Sequence, residues 1–121
     1  MSHTVTIKAQ FKDESAILAA AKELGLPVPV RGNAKLYDGV TTKNTLNLRL
    51  PGWTFPVAIN TQTGEAQFDN YKGTWGEQKQ LDRFTQTYVI HKATMAAKAK
   101  GYTVARQPQK NGSVHLVVTG F

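Results

Sequence analysis

The period of apolar and polar positions changes several times along the chain, and each change marks an element. The longest regular stretch runs from Gly76 to Lys100. Leu81, Phe84, Tyr88, His91 and Met95 recur there at steps of three and four, while Lys79, Arg83, Lys92, Lys98 and Lys100 fall mostly off that line. This spacing predicts an α-helix with one face turned to a core. Gly101 is the residue expected just past its end. A shorter helix is predicted over the stretch opened by Asp13. Asp13 suits the N-cap, Glu14 suits the positive helix end, and Ile17, Ala20 or Ala21, and Leu24 form the inner stripe. Gly25 and Pro27 then stop it.

Elsewhere the period is two, the signature of strands with one buried and one wet face. Val5, Ile7, Ala9 and Phe11 alternate with Thr and Lys or Gln; Leu46, Leu48 and Leu50 alternate with Asn47 and Arg49; Phe55, Val57 and Ile59 follow. Thr61-Gln62-Thr63-Gly64 reads as a hairpin loop, after which Glu65 to Asp69 returns with Ala66 and Phe68 facing inward. These connections are too short for crossovers, so the strands form an antiparallel meander. Val28 to Val30 is a short edge piece broken by Pro29, Arg31-Gly32-Asn33 is a turn signal, and Ala34 to Tyr37 is a short strand closed by Asp38-Gly39. Val40 to Lys43 has no clear period. Tyr102 to Arg106 and Ser113 to Thr119 form a final hairpin. Its last strand, Val114-His115-Leu116-Val117-Val118, is apolar enough to expect at the centre of a sheet.

The order predicts an α+β fold: a single curved antiparallel sheet of about six to seven strands with two helices packed on one face. The 121 residues form one domain, residues 1–121. The opposite sheet face is left wet or free for a partner.

Charge narrows the choice of partner. The chain has 15 Lys and Arg against 8 Asp and Glu, a formal charge of +7, spread without a dense run. Such a balance suits nucleic acid, anionic surfaces or acidic partners. There is no cysteine, which removes disulfides, thiolate metal sites and cysteine nucleophiles. The first residues lack the pattern of a signal peptide, and no apolar run has membrane-spanning length, so a cytoplasmic protein is expected.

Candidate chemistry is sparse. His3, His91 and His115 have no ligand spacing, so no metal is expected. Ser2, Ser15 and Ser113 sit at caps or turns, where hydroxyls serve the backbone. No phosphate-loop or nucleophile-elbow pattern occurs. No cofactor and no catalysis are expected. Tyr88 and His91 lie three apart on one helix face. They either line a pocket beneath the aromatic loop Asn70 to Trp75 or pack against the sheet with their polar tips bonded. Gln86 is better placed for the surface.

Several of these stretches together resemble one family. Met1-Ser2-His3, the Tyr37-Asp38-Gly39 turn, the Asn60 to Gly64 hairpin tip, Trp75-Gly76, and Gln86-x-Tyr88-x-x-His91 ending at Gly101 resemble the hypothetical chloroplast reading frame thirty-five family. This is a domain of unknown function in cyanobacteria and some plastids. The likeness covers nearly the whole chain. Thr87 stands where the family often has arginine, and Thr74 where it often has a second tryptophan, which fits a divergent or phage-borne member. The resemblance implies a small soluble protein of cyanobacterial or plastid type (stromal in a plastid, in the host cytoplasm if phage-encoded) and no established activity.

The leading expectation is a binding or regulatory module recognising a protein partner, with Trp53, Tyr71 and Trp75 as aromatic anchors. The alternative is nucleic-acid binding, with Lys8 and Arg49 on the wet sheet face, Trp53, Tyr71 and Trp75 in nearby loops stacking on bases, Lys72 beside them, and Lys98 and Lys100 at the long helix's exit. A third reading places a small ligand between that helix and the sheet.

Overall fold

The computed structural model describes residues 5–7, 11–36, 39–69 and 73–120. Nine elements follow one another: β1 (Val5–Ile7), α1 (Glu14–Glu23), β2 (Val30–Lys35), β3 (Thr41–Leu48), β4 (Val57–Ile59), β5 (Ala66–Phe68), α2 (Gln78–Ala99), β6 (Thr103–Pro108) and β7 (Val114–Thr119).

Local chemistry sets the ends of α1. The Asp13 carboxylate accepts the Ala16 amide at 3.1 Å, satisfying one of the free donors of the first turn. At the other end Gly25 takes a positive φ of 70°, and the Leu26 amide folds back to the Ala21 carbonyl at 2.9 Å. The start of α2 is different. Glu77 occupies the cap position without a capping hydrogen bond from its side chain. Trp53 holds the entry instead: its indole Nε1 donates to the Glu77 carbonyl at 3.1 Å. The Thr54 amide also donates to the Trp75 carbonyl at 2.8 Å.

Strands β1, β5, β4, β3 and β2 form one antiparallel sheet in that order. The expected meander is its middle, with Leu46 opposite Ile59, Leu48 opposite Val57 and Ile59 opposite Ala66. The β4–β5 turn is tied by Asn60, whose side-chain oxygen accepts the amides of Gln62 and Thr63. Gly64 supplies the positive φ that the return requires.

Both helices contribute to the core over this sheet. Ala16, Ile17, Ala20 and Ala21 of α1 meet Leu81, Phe84 and Tyr88 of α2 above Leu46, Leu48, Val57, Ile59, Ala66 and Phe68. Phe11 is the keystone. It is fully buried, its ring lies 6.0 Å from Phe84 and 5.0 Å from Tyr88, and its amide donates to Gly64 at the hairpin tip.

The single sheet of six to seven strands is corrected. β6 and β7 form a separate two-stranded sheet, and among the described residues β7 pairs only with β6. The apolar run at β7 is therefore at an edge and not central. The reason lies in α2, which is buried on two sides. Leu81, Phe84 and Tyr88 face the main core, while Ile90 and Ala97, also buried, lie roughly opposite by helical rotation. The chain leaves α2 at Gly101, with the Tyr102 amide on the Ala97 carbonyl, and runs back along the helix. Gln86 reaches the Gly112 carbonyl at the hairpin tip. The second apolar stripe of α2 thus takes the hairpin that the main sheet would otherwise have received.

Two smaller corrections concern strands. Arg31-Gly32-Asn33 lies inside β2 rather than at a turn, where the β2–β3 register shifts between Gly32 and Ala34. Phe55 precedes β4, which begins at Val57. The expected strand positions Ala9 and Lys8, and the turn residues Tyr37 and Asp38, lie outside the described residues.

Gly76 carries the Trp53 ring, and any Cβ there would fall inside the indole. Gly76→Ala is expected to displace Trp53 from the entry of α2 and destabilise the fold by about 1–3 kcal/mol. Chemical denaturation read by tryptophan fluorescence checks this. An unchanged midpoint would show that the entry does not depend on this contact.

Candidate functional site

The residues singled out from the sequence do not converge. Lys8, Tyr71 and Lys72 lie outside the described residues. Trp53 is only 8% exposed, packed 5.6 Å from Phe68 by ring centroids, and so is not offered to a partner. Trp75 is half-buried and stands edge-on to Phe55 at 5.5 Å. Lys98 and Lys100 are exposed at the far end of α2. With 22 residues, that helix separates them from Trp75 by about 33 Å. Arg49 is exposed just beyond β3.

Tyr88 and His91 have different surroundings. Tyr88 is buried against Phe11, and its hydroxyl accepts the amide of Asp13 at 3.2 Å, joining the middle of α2 to the start of α1. Three residues advance the helix by about 300°, leaving His91 some 60° round from Tyr88. This rotation takes His91 to the border of the two buried stripes. There its Nε2 lies 2.8 Å from Glu23, and Arg106 approaches the same carboxylate at 2.9 and 3.0 Å. Arg106, Glu23 and His91 therefore join β6, α1 and α2. The Arg106 hydrogen bond is the largest influence holding the Glu23 carboxyl below its ordinary value, with His91 acting in the same direction and burial opposing both.

What the structure does assemble is a polar trough. One hollow of about 330 Å³ is bordered by Arg31, Lys43, Asn44, Asn60, Thr61 and Gln62. A second of about 280 Å³ shares Lys43 and Asn60 with it and extends past Thr45, Ala58 and Gln67. The signal in the sequence was the stretch Val40 to Lys43, which has no clear period; the structure extends its irregularity to Asn44 and Thr45. The cause is the register shift. Asn44 adopts a positive φ of 52°, and its amide donates to the Asn33 side chain at 3.1 Å. The extra residue brings Thr42 and Thr45, which simple alternation would put on opposite faces, to 2.8 Å of each other.

The floor of the trough is one hydrogen-bonded network. The Ala34 amide donates to the Thr42 hydroxyl, Thr42 and Thr45 share a bond at 2.8 Å in which either can donate, and the Ala34 and Gly32 carbonyls lie 3.4 and 3.3 Å from the two hydroxyls as further acceptors; with Thr42 as donor, Thr45 donates to the Asn47 side-chain oxygen. The Asn47 amide group closes the chain on the Gly32 carbonyl at 3.3 Å. Each hydroxyl then gives one proton and receives one, which suits two threonines that are nearly fully buried. Arg31 forms one wall. Its guanidinium bonds the Asn44 carbonyl, the Thr61 hydroxyl and the Glu14 carboxylate, linking β2, β3, the β4–β5 turn and α1.

No three His, Asp or Glu side chains among the described residues are placed to hold a metal ion. No helix among them is long and apolar enough to cross a membrane. No family model, curated protein or solved structure matches the chain.

Because the Glu23 carboxyl is lowered in the fold, its contribution to stability is present above the ordinary value of 4.5 and lost as pH falls through the folded value. Glu23→Gln is expected to cost about 0.5 kcal/mol near pH 7, after allowance for the solvent exposure of the group. It should also flatten the acid limb of a stability-against-pH profile below about pH 4.5. Denaturant titrations across that range measure both. Identical acid limbs in the two proteins would show that the triad does not couple hairpin to helices.

Proposed function

We propose that this chain is a small non-catalytic recognition module that binds a protein partner at the polar trough. The observation that supports this reading is the pre-ordered floor of Thr42, Thr45 and Asn47 beneath exposed Lys43 and Gln62. A hydrogen-bonded floor pays its ordering cost during folding, so a polar partner meets donors and acceptors already in place. Lys43 and Arg31 favour a partner surface carrying carboxylates or backbone carbonyls.

Nucleic acid is the less favoured partner. Sequence-tolerant binding of bases relies on exposed aromatic faces. Among the described residues no aromatic side chain borders either hollow, Trp53 is buried, and Trp75 stands against Phe55. The formal charge of +7 is the property that keeps this alternative in view. Membership of the hypothetical chloroplast reading frame thirty-five family, with a cytoplasmic or stromal location, belongs to the same proposal and rests on the sequence resemblance.

Affinity capture from nuclease-treated host lysate tests the reading when wild type is compared with Lys43→Glu/Gln62→Ala and with Lys98→Glu/Lys100→Glu. The expected result is a stoichiometric protein retained by wild type and by the helix-exit variant, with at least about tenfold less on the trough variant, the equivalent of ~1.4 kcal/mol. The reading fails if the trough variant captures the same proteins as wild type. It also fails if gel shifts show tight nucleic-acid binding that weakens steeply with salt, the mark of phosphate contacts.

A further inference from the structure

Among the described residues, the second sheet has an edge with which no other strand pairs. Gln109 donates its amide to the Ser113 carbonyl at 2.9 Å, which makes this a hydrogen-bonded pair at the head of the hairpin. The β6–β7 register continues from it, with Pro108 opposite Val114, Arg106 opposite Leu116 and Val104 opposite Val118. In an antiparallel ladder the bonded pairs alternate. The N–H and C=O groups of Val114, Leu116 and Val118 therefore turn away from β6, to the outer edge of β7.

Other long edges carry devices against pairing. On β6 the outward positions include Pro108, which has no N–H, and Arg106. The edge strand β2 carries Arg31, Lys35 and the register shift. β7 has none of these. From Ser113 to Gly120 there is no Lys, Arg, Asp, Glu or Pro, and Val117 and Val118 are 38% and 51% exposed.

We propose that two copies of this chain pair antiparallel along β7, about a two-fold axis at Leu116, to join their hairpins into one four-stranded sheet. The edge is complementary to itself in this register. Leu116 meets Leu116 of the other copy, and Val114 meets Val118, so the outward amides and carbonyls form about six hydrogen bonds. Between them His115 faces Val117, so the two imidazole rings do not stand opposite each other. A chain with a formal charge of +7 repels its own copies, and a charge-free strand is where that repulsion is least. A seam of one strand pair buries less than the ~1,200 Å² of a standard interface, which makes the dimer weak and reversible.

The full-length protein provides the test. Sedimentation velocity from ~10 µM to ~1 mM should show a monomer giving way to a dimer, with Val118→Lys shifting the midpoint at least ~10-fold upward. The chain has no cysteine, so introduced thiols report the register cleanly. His115→Cys mixed with Val117→Cys should form a disulfide-linked dimer several-fold faster than either variant alone, because this pairing brings only the unlike positions to the Cα separation that a disulfide requires. Both sites lie on exposed side-chain positions, and circular dichroism confirms that the variants are folded. A chain monomeric at ~1 mM, leaving the edge to a strand from another protein, overturns the proposal. So does a dimer that shows no preference for the mixed cross-link.

Discussion

Burial of α2 on two opposite sides is the constraint that orders everything else in this fold. A helix with one apolar stripe closes one core, and the chain beyond it is free to extend the sheet. Here Phe84 and Tyr88 serve the main core while Ile90 and Ala97 need a second cover. Gly101 turns the chain back along the helix, and Gln86, on the same side of α2 by helical rotation, reaches the hairpin tip. Among the described residues the main sheet then has five strands, with β2 at an edge, and β7 is an edge of the second sheet. Polar bonds fix this layering rather than drive it. Tyr88 ties α2 to α1 through Asp13, and Glu23 ties both helices to β6 through His91 and Arg106.

Much of the local structure was legible in the sequence because its causes are local. Asp13 and Gly25 mark the ends of α1 by chemistry that acts within a turn or two. The three-and-four spacing of Leu81, Phe84 and Tyr88 defines α2, and the alternation of Leu46 and Leu48 defines β3. What escaped depends on contacts distant along the chain. The apolar character of β7 is common to central strands and to exposed edges, and only its neighbours distinguish them. Trp53, which looks like a surface anchor beside Gly52, is drawn inward because Gly76, far along the chain, leaves room for an indole.

The candidate site follows the same division. Tyr88 and His91 share a face by spacing, yet the 60° between them is enough to put one in the core and the other on a carboxylate. The trough was hidden for the opposite reason. A bulge breaks the period that makes a strand recognisable, so Val40 to Lys43 carried no readable pattern although it leads into the linked hydroxyls of Thr42 and Thr45 and the Asn47 side chain. Irregular backbone stabilised by side-chain bonds is where a fold places groups that regular alternation cannot bring together.

The central structural claim, that α2 is enclosed from both sides, is open to one direct measurement. Hydrogen exchange of the isolated protein, followed residue by residue, reports how much of the helix opens only when the whole fold opens. Comparable slow exchange is expected around Phe84 to Tyr88 and around Ile90 to Ala97. Rapid exchange confined to the second half of α2, with β6 and β7 exchanging alongside it, would contradict it.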